Sequence, residues 1–355
     1  MPADSPAGSA PARGSGADVP IIETIEVTKH FPVGHGGPGR GRHPTLKAVD
    51  GISLAIKRGE TLALVGETGS GKTTFGRLIL GLYRPTSGDI RYRGTSILDR
   101  RSEAARSVRR QVQGVFQDPY SSLNPTMTVG QSLAEVLKVH HVVERAGRAD
   151  RVAELLGTVG LSPAQAARRP VAFSGGERQR VGIARALAVQ PEVIIADEPL
   201  SALDVSIQAQ VLNLMIRLQD ERGLTYLFVT HDLDVARHIS QRTAVLYLGR
   251  VIEEAPTADI FAKPLHPYTQ ALVRAAPRLT TKRKAAKAVL GGELPNAIDR
   301  PPGCHFHPRC PMVMPRCREE EPLPIRLAGG RTVACHLHGP PSPEPAAGRA
   351  AAPAS

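Results

Sequence analysis

The sequence contains no window approaching the roughly 18 consecutive apolar residues of a membrane-crossing helix, so the chain is not expected to span a bilayer. Residues 1–20 hold no apolar segment that would serve as a secretion signal, which makes the cytosol the expected compartment. Cysteine is missing until position 304, and disulfides are disfavoured in that compartment. What is present is ordinary for a soluble globular protein. The chain has 355 residues, 41% hydrophobic and 22% charged, enough for a sizeable core and two domains. Residues 1–20 and 339–355 are rich in Pro, Ala, Gly and Ser and are expected to be disordered.

A formal charge of +12 fits a nucleic-acid partner, a membrane surface or simply an Arg-rich composition, and the charge alone does not choose among them. Arg278, Lys282, Arg283, Lys284 and Lys287 form one basic concentration without apolar periodicity. It reads as a solvated linker or as a contact for anionic headgroups or RNA.

Gly66-Glu67-Thr68-Gly69-Ser70-Gly71-Lys72-Thr73 meets every requirement of a phosphate-binding loop, and Thr74 continues it into a helix. The run Thr61 to Val65 before it reads as a buried strand, and Phe75, Leu78, Ile79 and Leu82 after it fall at helical spacing. In that context the glycines let backbone N–H groups turn around phosphate oxygens at the positive end of a helix. Lys72 then reaches the β- and γ-phosphates and Thr73 offers a hydroxyl to magnesium.

Upstream, Ile21 to Phe31 and Ala48 to Ile56 read as strands. Phe31 either stacks on a nucleobase or covers core as an edge aromatic. Downstream, Ile90 and Tyr92 alternate with charged residues as on an edge strand, and a strand from Val112 to Phe116 delivers Gln117. From Asn124 to Arg169 the pattern becomes helical, with Val152, Leu155, Leu156 and Val159 on one face, as expected of an inserted helical subdomain. Ser174-Gly175-Gly176-Glu177 then opens a helix whose free N–H groups and hydroxyl suit an anion. Val193 to Ala196 ends in Asp197-Glu198, and Thr225 to Val229 delivers Thr230 and His231. Polar groups therefore gather at the carboxyl ends of buried strands, where open α/β sheets bind ligands. Ile207, Val211, Leu214 and Leu218 share one helix face, and Thr243 to Glu253 reads as a closing hairpin.

Taken in order, the phosphate loop, Gln117, Ser174-Gly175-Gly176, Asp197-Glu198, Ser201-Ala202-Leu203-Asp204 and His231 resemble the nucleotide-binding subunit of ATP-binding cassette (ABC) transporters over residues 21–260. The resemblance implies an α/β P-loop fold with a mixed sheet, a helical subdomain at about 118–175 and a small carboxyl-terminal extension at 261–338. It implies ATP and magnesium as ligands. Asp197 would orient the metal, Glu198 would polarise the attacking water, His231 would touch the γ-phosphate, Gln117 would sit near the metal, and Phe31 would stack on adenine. Ser174 and Gly176 would bind ATP held by a second subunit in a head-to-tail dimer. Glu177 departs from the usual Gln, adding negative charge that would weaken or retune that contact.

Within that family, Gln117-Asp118-Pro119, Ser121 to Pro125, Asp204 to Gln210 and His266-Pro267-Tyr268-Thr269 are similar to importers of oligopeptides, dipeptides and nickel. The partners implied are two membrane permease subunits, a second and similar ATPase, and an extracytoplasmic receptor, with the chain at the cytoplasmic face of the membrane. The alternative is a nucleic-acid-associated cassette ATPase. It is opposed by the absence of a second cassette or long coiled coil, and no nucleic-acid partner is expected.

Cys304, Cys310, Cys317 and Cys335 cluster with His305, His307, His336 and His338, but lack the paired Cys-x-x-Cys of a zinc ribbon. The flanking Pro301 to Cys304 and His307 to Pro311 resemble the extension of the peptide-importer ATPases, which implies an iron–sulfur cluster. Read from the residues, four thiolates suit a four-iron, four-sulfur cluster or tetrahedral zinc, and four reduced thiols packed as small hydrophobes remain the alternative.

Overall fold

The computed structural model describes residues 19–33, 44–99, 101–118, 123–275 and 295–339. The basic stretch at 278–287, Pro119 to Ser122, and nearly all of the two terminal tails lie outside the described residues.

Among the described residues, twelve strands form two sheets. In chain order they are β1 (Ile22–Pro32), β2 (Thr45–Ile56), β3 (Thr61–Val65), β4 (Ser87–Tyr92), β5 (Thr95–Ser96), β6 (Val112–Val115), β7 (Val193–Asp197), β8 (Thr225–Thr230), β9 (Arg242–Tyr247), β10 (Arg250–Pro256), β11 (Ile325–Leu327) and β12 (Arg331–Val333). A small antiparallel sheet runs β2-β1-β4-β5. The large one runs β11-β12-β10-β9-β3-β8-β7-β6 and is mixed: β6, β7, β8, β3 and β9 are parallel, whereas β10, β12 and β11 are antiparallel.

The central strands β3, β7 and β8 are buried at every residue, as their unbroken apolar runs require of strands covered on both faces. Period-two alternation sorts their side chains into separate cores. Tyr226 and Phe228 face a helical layer with Leu155, Leu156, Val181 and Leu187, while Leu227 and Val229 face Phe75, Leu78 and Ile79 of the helix Lys72–Ile79. The helical layer is built from Val129–Val139, Arg148–Thr158 and Gly175–Leu187. A capping box at Thr128 and Gln131 starts its first helix.

One departure from the sequence reading has a simple cause. The loop helix stops at Ile79 because Gly81 takes φ 69°, so Leu82 is 56% exposed rather than on the apolar face. Within the segment after position 261, β12 pairs with β10 and lengthens the large sheet.

Candidate nucleotide site

The parallel register sets the site. Val65 lies opposite Thr230 and Asp197 opposite Val229, so Gly66, Glu198 and His231 all leave the sheet at one level. Gln117 is exposed two residues past β6, at the same edge.

The phosphate loop follows β3. A side chain at Gly66 would place its Cβ 2.3 Å from the Leu246 carbonyl oxygen, and one at Gly71, at φ 103°, would come within 2.0 Å of the Ala48 carbonyl oxygen. The loop therefore needs glycine at both positions. Thr68 and Gly69 are exposed at the tip, and Thr74 is half-buried in the helix. Lys72 is 4% exposed, and its ammonium donates to the carbonyls of Gly66 at 2.8 Å and Glu67 at 2.9 Å. Burial lowers its pKa, against the raising effect of Glu198, Asp197 and Glu67. The buried Ser70 hydroxyl has no hydrogen-bond partner among the described residues, an orphaned donor in the cradle where a phosphate oxygen is expected.

Thr73 donates to Asp197 Oδ1 at 2.9 Å, so the hydroxyl and carboxylate expected to hold magnesium already meet. Burial raises the Asp197 pKa, a direction that a bound cation would reverse. Glu198 occupies φ 46°, a region a non-glycine residue rarely adopts, and its Oε2 lies 3.3 Å from Nδ1 of His231.

The remaining predicted residues have the following local partners. Ser174 caps the helix Gly175–Leu187, and its hydrogen bonds go to Glu177. Gly176 has no room for a side chain because a Cβ would meet Ile207 at 2.3 Å, and Gly175 packs beside Leu203. Glu177 returns a carboxylate oxygen to the Ser174 N–H at 2.8 Å and accepts from Gln165 at 3.0 Å. It closes a capping box, and the bond from the Ser174 backbone lowers its pKa. Phe31 is half-buried, edge-on to Tyr83 at 5.5 Å with Lys29 over its ring at 5.0 Å.

All four cysteines line one pocket with Phe306, His307, Met312, Met314 and His336. Among the described residues, however, no group of three or more Cys, His, Asp or Glu is placed to hold a metal ion, so neither the zinc nor the iron–sulfur expectation is supported by that placement. Burial pushes the Cys304 thiol up to about 12 and Cys335 up to about 11, with repulsion from neighbouring cysteines adding to both. Without a cation these thiols stay neutral.

The sequence reading missed the groups behind the loop. Glu67 N–H donates to the Tyr268 hydroxyl at 3.0 Å, and Arg309 donates to both Glu67 carboxylate oxygens at 2.8 and 2.9 Å. A carboxylate inside a phosphate-binding loop was the available hint that a cation must stand near, but nothing local identifies a partner 242 positions away.

This sheet, loop and acid pair define a P-loop nucleotide hydrolase of the ABC ATPase kind. Residues 49–201 match the family model described as ABC transporter, and residues 252–317 match the one described as oligopeptide/dipeptide transporter, C-terminal region. The chain belongs to the ATP-binding proteins of ABC transporters, and it is an ATPase. It is 50% identical to the oligopeptide transport ATP-binding protein AppF of Bacillus subtilis, over 90% of this chain and 97% of that protein. It is 45% identical to the dipeptide transport ATP-binding protein DppF of Escherichia coli, over 89% of this chain and 94% of that one. Among solved structures, the ATP-binding cassette MJ0796, a dimer bound to ADP and Pi, is 31% identical with a TM-score of 0.58, covering 66% of this chain and 98% of that one.

Proposed function

We propose that this ATPase energises an importer of oligopeptides or dipeptides and hydrolyses ATP at sites shared across a head-to-tail pair of ATPases. Hydrolysis is carried by one observation: Lys72, Thr73, Asp197, Glu198 and His231 converge at the carboxyl edge of the parallel strands of one sheet. The substrate class follows from the match of residues 252–317 and from the names of the relatives.

In this reading Lys72 turns from the loop carbonyls to the phosphates, and the loop N–H groups hold the oxygens. Thr73, Asp197 and Gln117 are the residues that would hold magnesium, which would supply neutralisation of the phosphate charge. Glu198 takes a proton from the attacking water, and His231 holds Glu198 in place while touching the γ-phosphate. Phe31 stacks on the adenine. Ser174, Gly175 and Gly176 face the ATP of the other subunit, which suits a segment whose hydrogen bonds stay within its own cap and Gln165. The partners are two permease subunits, a second, non-identical ATPase and an extracytoplasmic receptor, with this chain docked peripherally on the cytoplasmic face. No helix among the described residues is long and apolar enough to cross a membrane. The four cysteines hold a four-iron, four-sulfur cluster. This is supported by their convergence on one pocket, since a cluster spreads its ligands farther apart than a single ion does.

The test is ATP turnover by the complex reconstituted in vesicles. Stimulation by peptide-loaded receptor is the expected result, and turnover indifferent to both receptor and permease would overturn the assignment.

A further inference from the structure

We propose that Arg309, far along the chain from the loop, is a positioning residue for ATP binding. By pairing with Glu67 it fixes the second residue of the phosphate loop and cancels a negative charge that would otherwise face the triphosphate. The inference rests on the reading of Gly66 to Thr73 as the nucleotide site.

Every polar group of Glu67 is engaged. Its N–H donates to Tyr268, its carbonyl accepts from Lys72 at 2.9 Å, and its carboxylate accepts both arms of the Arg309 fork at 2.8 and 2.9 Å. Arg309 is thus linked through one residue to the ammonium assigned to the phosphates. The Arg309 side chain is only 6% exposed and the Glu67 side chain 25%, so the pair is screened far less than a surface bridge. The Arg309 backbone N–H donates to the Phe306 carbonyl at 3.0 Å, and the Tyr247, Tyr268 and Phe306 rings pack edge-to-face at 4.8 to 5.4 Å beside that turn. That aromatic floor fixes the short turn His307–Arg309 that carries the guanidinium.

A second contact from the same segment reaches the loop's other flank. Arg300 donates to Asp50 Oδ2 at 2.7 Å; Asp50 N–H donates to the Gly249 carbonyl at 2.9 Å; and Gly249 N–H donates to the Ser70 carbonyl at 2.8 Å. The carboxyl-terminal segment therefore grips the loop near Glu67 directly and near Ser70 through Gly249. Truncating Arg309 leaves a partly buried carboxylate unpaired one residue from the phosphate cradle, where it repels ATP.

MgATP binding to the full-length chain and KM and kcat of the assembled transporter test this in R309Q, R309K, E67Q and the R309Q/E67Q double variant. R309Q is expected to weaken MgATP on the order of tenfold, mostly through KM, with the loss growing as salt is lowered. R309K should fall between R309Q and the native chain. The double variant should recover most of the affinity, since no charge is stranded, whereas a merely structural role predicts that it is as weak as R309Q. Native affinity in R309Q, or a folded double variant no better than R309Q, overturns the inference. Should R309Q fail to fold, the double variant decides alone: near-native binding supports the proposal and a tenfold loss overturns it. A native chain that binds no MgATP overturns the nucleotide-site reading and this inference with it, whereas native binding unaffected by R309Q overturns the inference alone.

Discussion

His231 Nδ1 stands 3.3 Å from Glu198 Oε2, although the two residues leave different strands. The backbone of Glu198 is held at φ 46° by its N–H bond to the Val229 carbonyl at 2.9 Å and by the Ser201 N–H and hydroxyl on its own carbonyl. Such a conformation persists where its surroundings over-determine it, and here it brings the carboxylate beside His231, where the proposed reading puts the base. Glu198→Gln keeps the size and the hydrogen bonding but removes the base. Turnover is expected to fall by roughly 10²–10⁴ while ATP binding survives and a closed pair accumulates, read by ATPase rate and by size-exclusion chromatography with ATP. Ordinary turnover would remove Glu198 from its role.

Glycine placement separates loop geometry from simple flexibility. Gly71→Ala forces a Cβ to within 2.0 Å of the Ala48 carbonyl oxygen at φ 103°, and a backbone oxygen cannot step aside. ATP binding should be lost, with a stability cost of about 1–3 kcal/mol by denaturant titration. Gly157 lies in the helix Arg148–Thr158 with nothing near its Cβ direction. Gly157→Ala should therefore gain about 0.5–1 kcal/mol. Equal effects at the two positions would contradict this account.

Glu177 turns its carboxylate back on the start of its own helix. Its carboxylate accepts from the Ser174 N–H and hydroxyl, and the Ser174 hydroxyl accepts from the Glu177 N–H. Glu177→Ala should cost about 0.5–2 kcal/mol by thermal or chemical melting, whereas Glu177→Gln, which preserves the acceptor, should cost far less. Equal losses would place the effect in charge rather than in the cap.

How far the sequence revealed the site depended on the range of each interaction. The loop, Asp197-Glu198 and His231 were legible because each is a local signature at the end of a buried apolar run, and the parallel register then aligns them without further information. The helix end at Ile79 was misread by one turn because Leu82 keeps helical spacing after Gly81 has already broken the helix. Arg309 and Arg300 were invisible because their partners, Glu67 and Asp50, lie more than two hundred positions away and no pattern marks them. Tyr268 was seen only as part of a resemblance, and its hydroxyl under the loop gives that motif a physical task.

Asp50 should make part of the stability acid-labile. Burial alone would raise its pKa, but Arg250, Arg300 and His30 outweigh burial and hold the carboxyl at about 2, below the unfolded value of 3.8. A carboxylate lowered in the folded state binds fewer protons there. Its stabilisation is therefore fully present above the unfolded pKa and is lost as pH falls from about 4 toward 2. Asp50→Asn should flatten the stability curve through that window, as read by urea titration at several pH values, and should leave Arg300 without its carboxylate partner and the segment after 295 more open to proteolysis. An unchanged acid limb would show that the Asp50 cluster does not govern it.

The cysteine pocket makes the sharpest distinction between packing and cofactor. Burial and neighbouring cysteines keep the Cys304, Cys310 and Cys335 thiols neutral, which suits a small apolar cluster, whereas ligation of iron by the four around one pocket would displace thiol protons to solvent. Full-length chain purified without oxygen should then carry broad visible absorption together with iron and acid-labile sulfide. Cys317→Ser, at a buried position, should lose all three signals and melt at a lower temperature. Colourless native protein without iron would assign the cysteines to packing, where Cys317→Ser costs only its burial, on the order of 1–3 kcal/mol for an unsatisfied hydroxyl. Because Arg309 immediately precedes Cys310, only the cluster reading expects iron removal to weaken MgATP binding as well.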